Sequence, residues 1–329
     1  MHKIKQIPED FIVKEVSDIK AGNGQYAYFL LKKINYTTIG ALQILSKRFR
    51  IPLKNFGFAG NKDKLAKTEQ KISIFRGSRN FEHIEFENIE LRYLGNGKEP
   101  ISLGDLEGNE FVITMRNLNN NEIKKIKKLQ NKKIIIPNLY GPQRFSKNNH
   151  FIGKAIVKRE FGKAVDLILE NNGAVEEGIG QYLKNNRNNY AGALRLIPLK
   201  TRKLLVHSYQ SFLFNEIVLQ YRKNNKIKKN IKIPIIGFDF ELNSIKVKTL
   251  KNIMKSILEK EEINPRDFII SQMPELTSEG SFRDLFFQLR FRILEIDDDE
   301  LNKNKKKAIL NFTLPKSCYA TVALEFLLR

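Results

Sequence analysis

Tryptophan is absent from the 329 residues, cysteine occurs once, histidine four times, and Asp and Glu are outnumbered 36 to 58 by Lys and Arg. A single cysteine, Cys318, excludes an internal disulfide, and its place in a segment that reads as buried makes it a small core residue rather than a reactive thiol. His2, His83, His150 and His207 form neither an i, i+4 pair nor a Cys/His cluster, so the usual zinc signatures are missing and no structural metal is expected. No run approaches the roughly 18 apolar residues of a membrane span. The N-terminus enters patterned sequence at once, without an apolar stretch ahead of a small-residue cleavage site. A cytoplasmic protein with no membrane attachment is the expectation. The shortage of carboxylates leaves a net charge of +22, which favours a polyanionic partner, nucleic acid first. Part of that excess lies in Lys/Asn runs, Asn224 to Asn230 and Asn302 to Lys307, a bias that genome composition or a heat-stable lifestyle also produces.

The length exceeds that of one ordinary compact domain, so two lobes are expected. The first 150 residues alternate in strand fashion at Phe11 to Val16, Ala27 to Leu31, Lys71 to Phe75, Ile89 to Leu94 and Glu110 to Met115. Thr38 is placed to cap a helix carrying Ala41, Leu42, Leu45 and Phe49 on one face, and Asn119 to Asn121 open a second with Ile123, Ile126 and Leu129 inward. Beyond about residue 155 helical patterns dominate, at Phe161 to Glu170, Leu204 to Tyr221 and Lys248 to Leu258, with a strand candidate at Ile231 to Phe240. The acidic run Asp297 to Glu300 reads as a solvated turn. After it come a strand at Ala308 to Leu314 and a helix capped by Ser317, an end segment like the first lobe, which suggests that the helical middle is an insertion.

The segment Asn55 to Gln70 has the physics of a site. Gly57 and Gly60 permit close approach or positive φ, so that this loop can press on a ligand, and Asp63 lies between Lys62 and Lys64, which favour its ionised form. A phosphate-binding P-loop is excluded, because no Gly-x4-Gly-Lys-Ser/Thr run exists. Glu69 has no spacing that pairs it with Asp63 for acid/base work. Taken alone, Gly60-Asn61-Lys62-Asp63 is most simply a structural turn.

In wider context, Ala59-Gly60-Asn61-Lys62-Asp63-Lys64-Leu65-Ala66-Lys67-Thr68-Glu69-Gln70 resembles the signature of TruD-type tRNA pseudouridine synthases. Lys5 to Glu15 is similar to that family's N-terminal motif, Asn138-Leu139-Tyr140-Gly141-Pro142-Gln143-Arg144-Phe145 to its central motif, and Leu314 to Thr321 to its closing motif. Ser208 to Asn215 is a weaker match to a helix of archaeal and eukaryotic members. The resemblance implies an α+β fold: a catalytic domain of mixed, largely antiparallel sheet from residues 1–154 and 301–329, with an inserted TRUD domain at 155–300. It also implies isomerisation of uridine to pseudouridine in tRNA, at position 13, by a monomer needing neither cofactor nor metal.

Asp63 would be the catalytic carboxylate, as nucleophile or as an aid to elimination, with Lys5 supporting it. A base taken out of its stack is usually held by aromatic and apolar groups. The resemblance assigns that task to Phe11, Tyr140 and Tyr319, and reading of the uracil edge to Asn138. Lys62, Gln143 and Arg144 would support loops or touch RNA. Tyr140 and Tyr319 stand where many members have Phe, and Leu139, Ser146 and Lys316 also depart from the pattern. The alternatives are a non-catalytic RNA-binding protein or tRNA-folding chaperone on this scaffold, and a synthase acting on other tRNA uridines.

Overall fold

The computed structural model describes residues 2–82, 85–86, 88–171, 173–224 and 230–328. His83 and most of the Lys/Asn run Asn224 to Asn230 lie outside them. In chain order the elements begin with β1 (Phe11–Val16), β2 (Tyr26–Ile34), α1 (Thr38–Phe49), β3 (Phe56–Phe58), β4 (Lys67–Phe75), β5 (Glu85–Phe86), β6 (Ile89–Gly97), β7 (Gly108–Leu118), α2 (Asn120–Leu129) and β8 (Ile134–Pro137). Then follow α3 (Asn149–Val157), α4 (Phe161–Leu169), α5 (Ala174–Asn185), α6 (Tyr190–Arg195), α7 (Leu199–Asn224), β9 (Lys232–Ile235), α8 (Lys248–Glu261), β10 (Ser281–Asp284) and β11 (Phe286–Leu289). The chain ends with β12 (Phe291–Asp298), β13 (Lys306–Pro315) and α9 (Ala320–Leu328).

Two compact units emerge, residues 1–136 with 288–329, and residues 137–287. Both divisions fall earlier than the expected 154/155 and 300/301. The reasons are local: Ile152 packs into the helical core of the second unit, whereas β12 pairs with β13 in the sheet of the first.

That sheet has, among the described residues, nine strands in the order β12-β13-β7-β1-β4-β2-β6-β5, with β3 beside β4. Only β1 and β4 run parallel, in the register Ile12 to Lys67 and Val13 to Thr68. Alternation sends Ala27, Phe29 and Leu31 of β2, Ile72 and Ile74 of β4 and Leu91 of β6 into one core with Ala41, Leu42 and Leu45 of α1. Leu31 and Leu45 are each at most 1% exposed, and full burial of one such side chain stabilises by about 1.5–3 kcal/mol. The fold is therefore α+β, with a mixed and largely antiparallel sheet.

Three local expectations are corrected. The cap of α1 is Thr37, which accepts from the Gly40 N–H, and not Thr38, which is buried. Ser317 has φ 68° and makes a turn, so α9 starts at Ala320, two residues later than a cap at Ser317 would require. The run Asp297 to Glu300 is no solvated turn. Asp299 is buried and accepts from Arg116 at 3.0 Å and from the Asn117 N–H at 2.7 Å, while Glu300 meets the same guanidinium at 2.9 Å. Asp10 takes its third edge at 2.8 Å.

In the second unit α7 carries Leu205, Val206, Tyr209, Leu213 and Phe214 into a core shared with Ile152, Ile156 and Val165. Helix α3 crosses it closely: a Cβ on Gly153 would lie 2.1 Å from the Leu205 carbonyl oxygen. The strand expected at Ile231 to Phe240 is limited to β9, paired with β10, because the chain turns at Phe238 and Asp239. Among the described residues no helix is long and apolar enough to cross a membrane.

Candidate active site

Asp63 stands on the loop between β3 and β4, its side chain 43% exposed, and accepts from the Lys5 ammonium at 2.5 Å. That ammonium also lies 4.0 Å from the centroid of the Phe11 ring. Phe11 itself is 3% exposed and meets Phe111 edge-on at 6.0 Å. One face of the ring thus supports the cation that faces Asp63. Tyr319 is half-buried immediately before α9, in the same unit.

Lys5 reaches Asp63 because its segment is tied at several points. Lys3 exchanges backbone hydrogen bonds with Arg116 at 2.9 and 2.8 Å, and Asp10 accepts from the N–H groups of Gln6 and Ile7. Lys5 lies between these ties at φ 60°, a left-handed conformation that costs a residue with a Cβ about 1 kcal/mol. Asn302 completes the anchor, accepting from Lys3 and donating to Gln6. The acidic turn after β12 therefore holds the N-terminal segment through Arg116 and Asn302.

The loop carrying Asp63 is fixed from beneath. Thr38, free of capping, donates its hydroxyl to Gln70 at 2.8 Å and accepts the Lys62 N–H at 2.9 Å, while the Gln70 amide donates to the Gly60 carbonyl at 3.1 Å. Lys62 points away from solvent into a buried ion pair with Glu15 at 2.8 Å; Lys64 is exposed. Lys33, on β2, donates to the carbonyls of Tyr36 and Asp63. Ala59 and Ala66 are buried at the loop's two ends. Gly57 is required by the fold rather than by a ligand, since a Cβ there would lie 2.4 Å from the Ile101 carbonyl oxygen. Gly60 has neither positive φ nor a crowded Cβ position.

The central motif lies in the second unit. Asn138 is buried; its amide nitrogen donates to the Asp284 carbonyl at 3.0 Å and its oxygen accepts from Arg283 at 2.8 Å. The Arg283 guanidinium lies 4.1 Å from the centroid of Tyr140. Tyr140 is held at its backbone by both atoms of the Asn215 amide, at 2.8 and 3.0 Å, and by Phe214 edge-on at 5.7 Å. Arg144 donates to Ser211 at 3.1 Å, its carbonyl accepts from Ser208, and Gln143 is exposed. The segment Ser208 to Asn215 is therefore the backing of the Asn138 to Arg144 loop. Among the described residues no three His, Cys, Asp or Glu side chains gather as metal ligands would.

Sequence reasoning missed Lys33, Arg116 and Arg283. Only Lys33 had a signal, since the alternation that buries Ala27, Phe29 and Leu31 lands on it next. Arg116, Asp10 and Asp299 meet across 106 and 183 residues, a separation no local pattern spans.

A family model described as tRNA pseudouridine synthase D (TruD) matches residues 2–179, 169–232 and 221–326. A relative from Methanosarcina acetivorans, named "Probable tRNA pseudouridine synthase D", is 30% identical over 98% of this chain and 91% of its own. The tRNA pseudouridine synthase D of Aquifex aeolicus is 29% identical, covering 98% and 97%. A TruD crystal structure from Methanosarcina mazei superposes with a TM-score of 0.76 at 27% identity, over 99% of this chain and 93% of that one. Both units, and every segment that frames Asp63, fall inside these matches, and the chain belongs to the TruD family of tRNA pseudouridine synthases.

Proposed function

We propose that this enzyme isomerises uridine to pseudouridine at position 13 of tRNA, in the cytoplasm and without a cofactor, with Asp63 as the catalytic carboxylate. The reaction breaks the bond from N1 of uracil to C1′ of the ribose and joins C1′ to C5; the C5 proton leaves and N1 gains one, so atoms balance without a co-reactant. The observation that carries the reading is the Lys5 to Asp63 pair, which presents one oriented carboxylate, partly open to solvent, on a loop that Thr38, Gln70 and Lys62 hold fast. Either role, nucleophile or aid to elimination, needs one accessible carboxylate held in a fixed orientation, and the Lys5 ammonium supplies that orientation. The net charge of +22 supports a nucleic-acid substrate.

Within this reading Phe11 carries Lys5, because its burial leaves little ring for a base. Asn138 holds Arg283 against Tyr140, since both ends of its amide are already engaged. Tyr140 and Tyr319, each half-buried, remain the aromatic candidates for a displaced uridine.

The test uses tRNA transcripts tritiated at C5 of uridine, with sequencing to locate the product. Tritium release from position 13, abolished in Asp63→Asn, is expected. No release from any tRNA would defeat the catalytic reading, release from another position would defeat the address, and an active Asp63→Asn would defeat the residue assignment.

A further inference from the structure

Strand β2 delivers a charge to the interior. Lys33 is 1% exposed, opposite Thr68 on β4 and Ile89 on β6. Among the described residues it has no carboxylate within ion-pair distance; its ammonium donates to the Tyr36 carbonyl at 2.6 Å and to the carbonyl of Asp63 itself at 3.0 Å. Methionine would fill similar space without desolvating a charge, which is costly when unpaired. Packing therefore does not account for a lysine here. Tyr36 lies at the corner between β2 and α1, and Asp63 on the loop between β3 and β4, so one ammonium ties that corner to the catalytic peptide.

We propose that Lys33 is a positioning residue of the isomerisation, fixing the peptide of Asp63 so that its carboxylate faces Lys5 and the uridine, with a buried positive charge behind the loop. The proposal rests on the role of Asp63 given above. The charges acting on Lys33 are Asp63 and Lys62, both on the loop, while β4 and β6 face it with the neutral Thr68 and Ile89. Burial pushes its ammonium down to about 8, against the pull of Asp63 and with the push of Lys62. The charged form is thus present below that pH and lost as pH rises through it. A neutral amine would donate weaker hydrogen bonds and lend the carboxylate no field.

The experiment measures tritium release at saturating tRNA from pH 6 to 10 for the unmutated enzyme, Lys33→Met and Lys33→Arg, with thermal melts of each. The unmutated kcat is expected to fall above about pH 8. Lys33→Met should lose about tenfold or more in kcat at pH 7 with KM within about twofold, and should lack that alkaline limb. Lys33→Arg, permanently charged, should recover part of kcat and carry it to higher pH. A Lys33→Met enzyme that melts normally and keeps both kcat and the limb overturns the proposal. If Lys33→Met does not fold, an unmutated kcat level from pH 7 to 10 overturns it, as does a Lys33→Arg enzyme with an unmoved limb. An unmutated enzyme that releases no tritium fails the parent reading and this proposal together, whereas activity lost in Asp63→Asn but indifferent to Lys33 fails this proposal alone.

Discussion

Asp63 is flanked in sequence by two lysines, yet it is Lys5, 58 residues away, that pairs with it. Lys62 turns inward to Glu15, with 6% and 1% of their side chains exposed. Breaking a buried pair from one side leaves the other charge uncompensated, at a cost of about 3–5 kcal/mol. Lys62→Met should therefore lower the urea midpoint by an amount of that order. It should also reduce kcat, because the next residue is Asp63. Urea titration and single-turnover rates would check both; a variant as stable as the parent would show that Glu15 needs no cation. In the sequence only the ordered motifs suggest Lys5 as a neighbour of Asp63, since a lysine adjacent in the chain looks local and one 58 residues off does not.

Adjacent threonines at the start of α1 serve different ends. Thr37 caps the helix, and Thr38 joins the helix to the loop that carries Asp63 through Gln70 and the Lys62 N–H. Thr37→Ala should cost about 1 kcal/mol and leave kcat near the parent's. Thr38→Val keeps the shape but strands two buried polar groups, at about 1–3 kcal/mol each, and should lower kcat as well. Melting curves beside tritium-release rates would test the contrast, and equal effects of the two variants on kcat would count against it. Elements with strong periodicity were legible: β1 spans the residues expected of it, and α2 opens on Asn119 with Glu122 completing the capping box. Caps were less so, because neighbouring Thr37 and Thr38 are chemically equivalent until α1 and β4 are brought together. The strand expected through Phe240 failed for a different reason, since a turn within an apolar stretch has no periodicity to mark it.

The first unit is assembled from both ends of the chain, and Arg116 on β7 is where the ends meet, binding Asp10, Asp299 and Glu300. Hydrogen bonds from Arg116 and then Lys307 hold Glu300 down to about 2. Burial alone would raise Asp299, but hydrogen bonds from Asn117, Asn302, Leu301 and Arg116 keep it below its ordinary value. Both folded values lie below the unfolded ones, so this contribution is complete above roughly pH 4.5. It fades as pH falls toward the folded values. In Arg116→Met that contribution is reduced and the buried Asp299 loses a charged partner. The variant should be about 3–5 kcal/mol less stable at pH 7, with a smaller deficit at pH 4, where protonation of Asp299 removes the uncompensated charge. Urea midpoints at the two pH values test this, and a deficit unchanged between them would refute it. Composition marked the acidic run as solvated because it precedes a lysine-rich stretch, and the partner that buries it is 183 residues away. The same closure sets an order of events during synthesis, which proceeds from the N-terminus. Lys5 and Asp63 leave the ribosome early, but the segment that carries Lys5 gains its Asp299 and Asn302 anchors only near the end of translation. A nascent chain that ends before Asp299 therefore carries Lys5 and Asp63 with the Lys5 segment held by its Asp10 and Arg116 ties alone, and the pair should be fully fixed only once Asp299 and Asn302 have emerged.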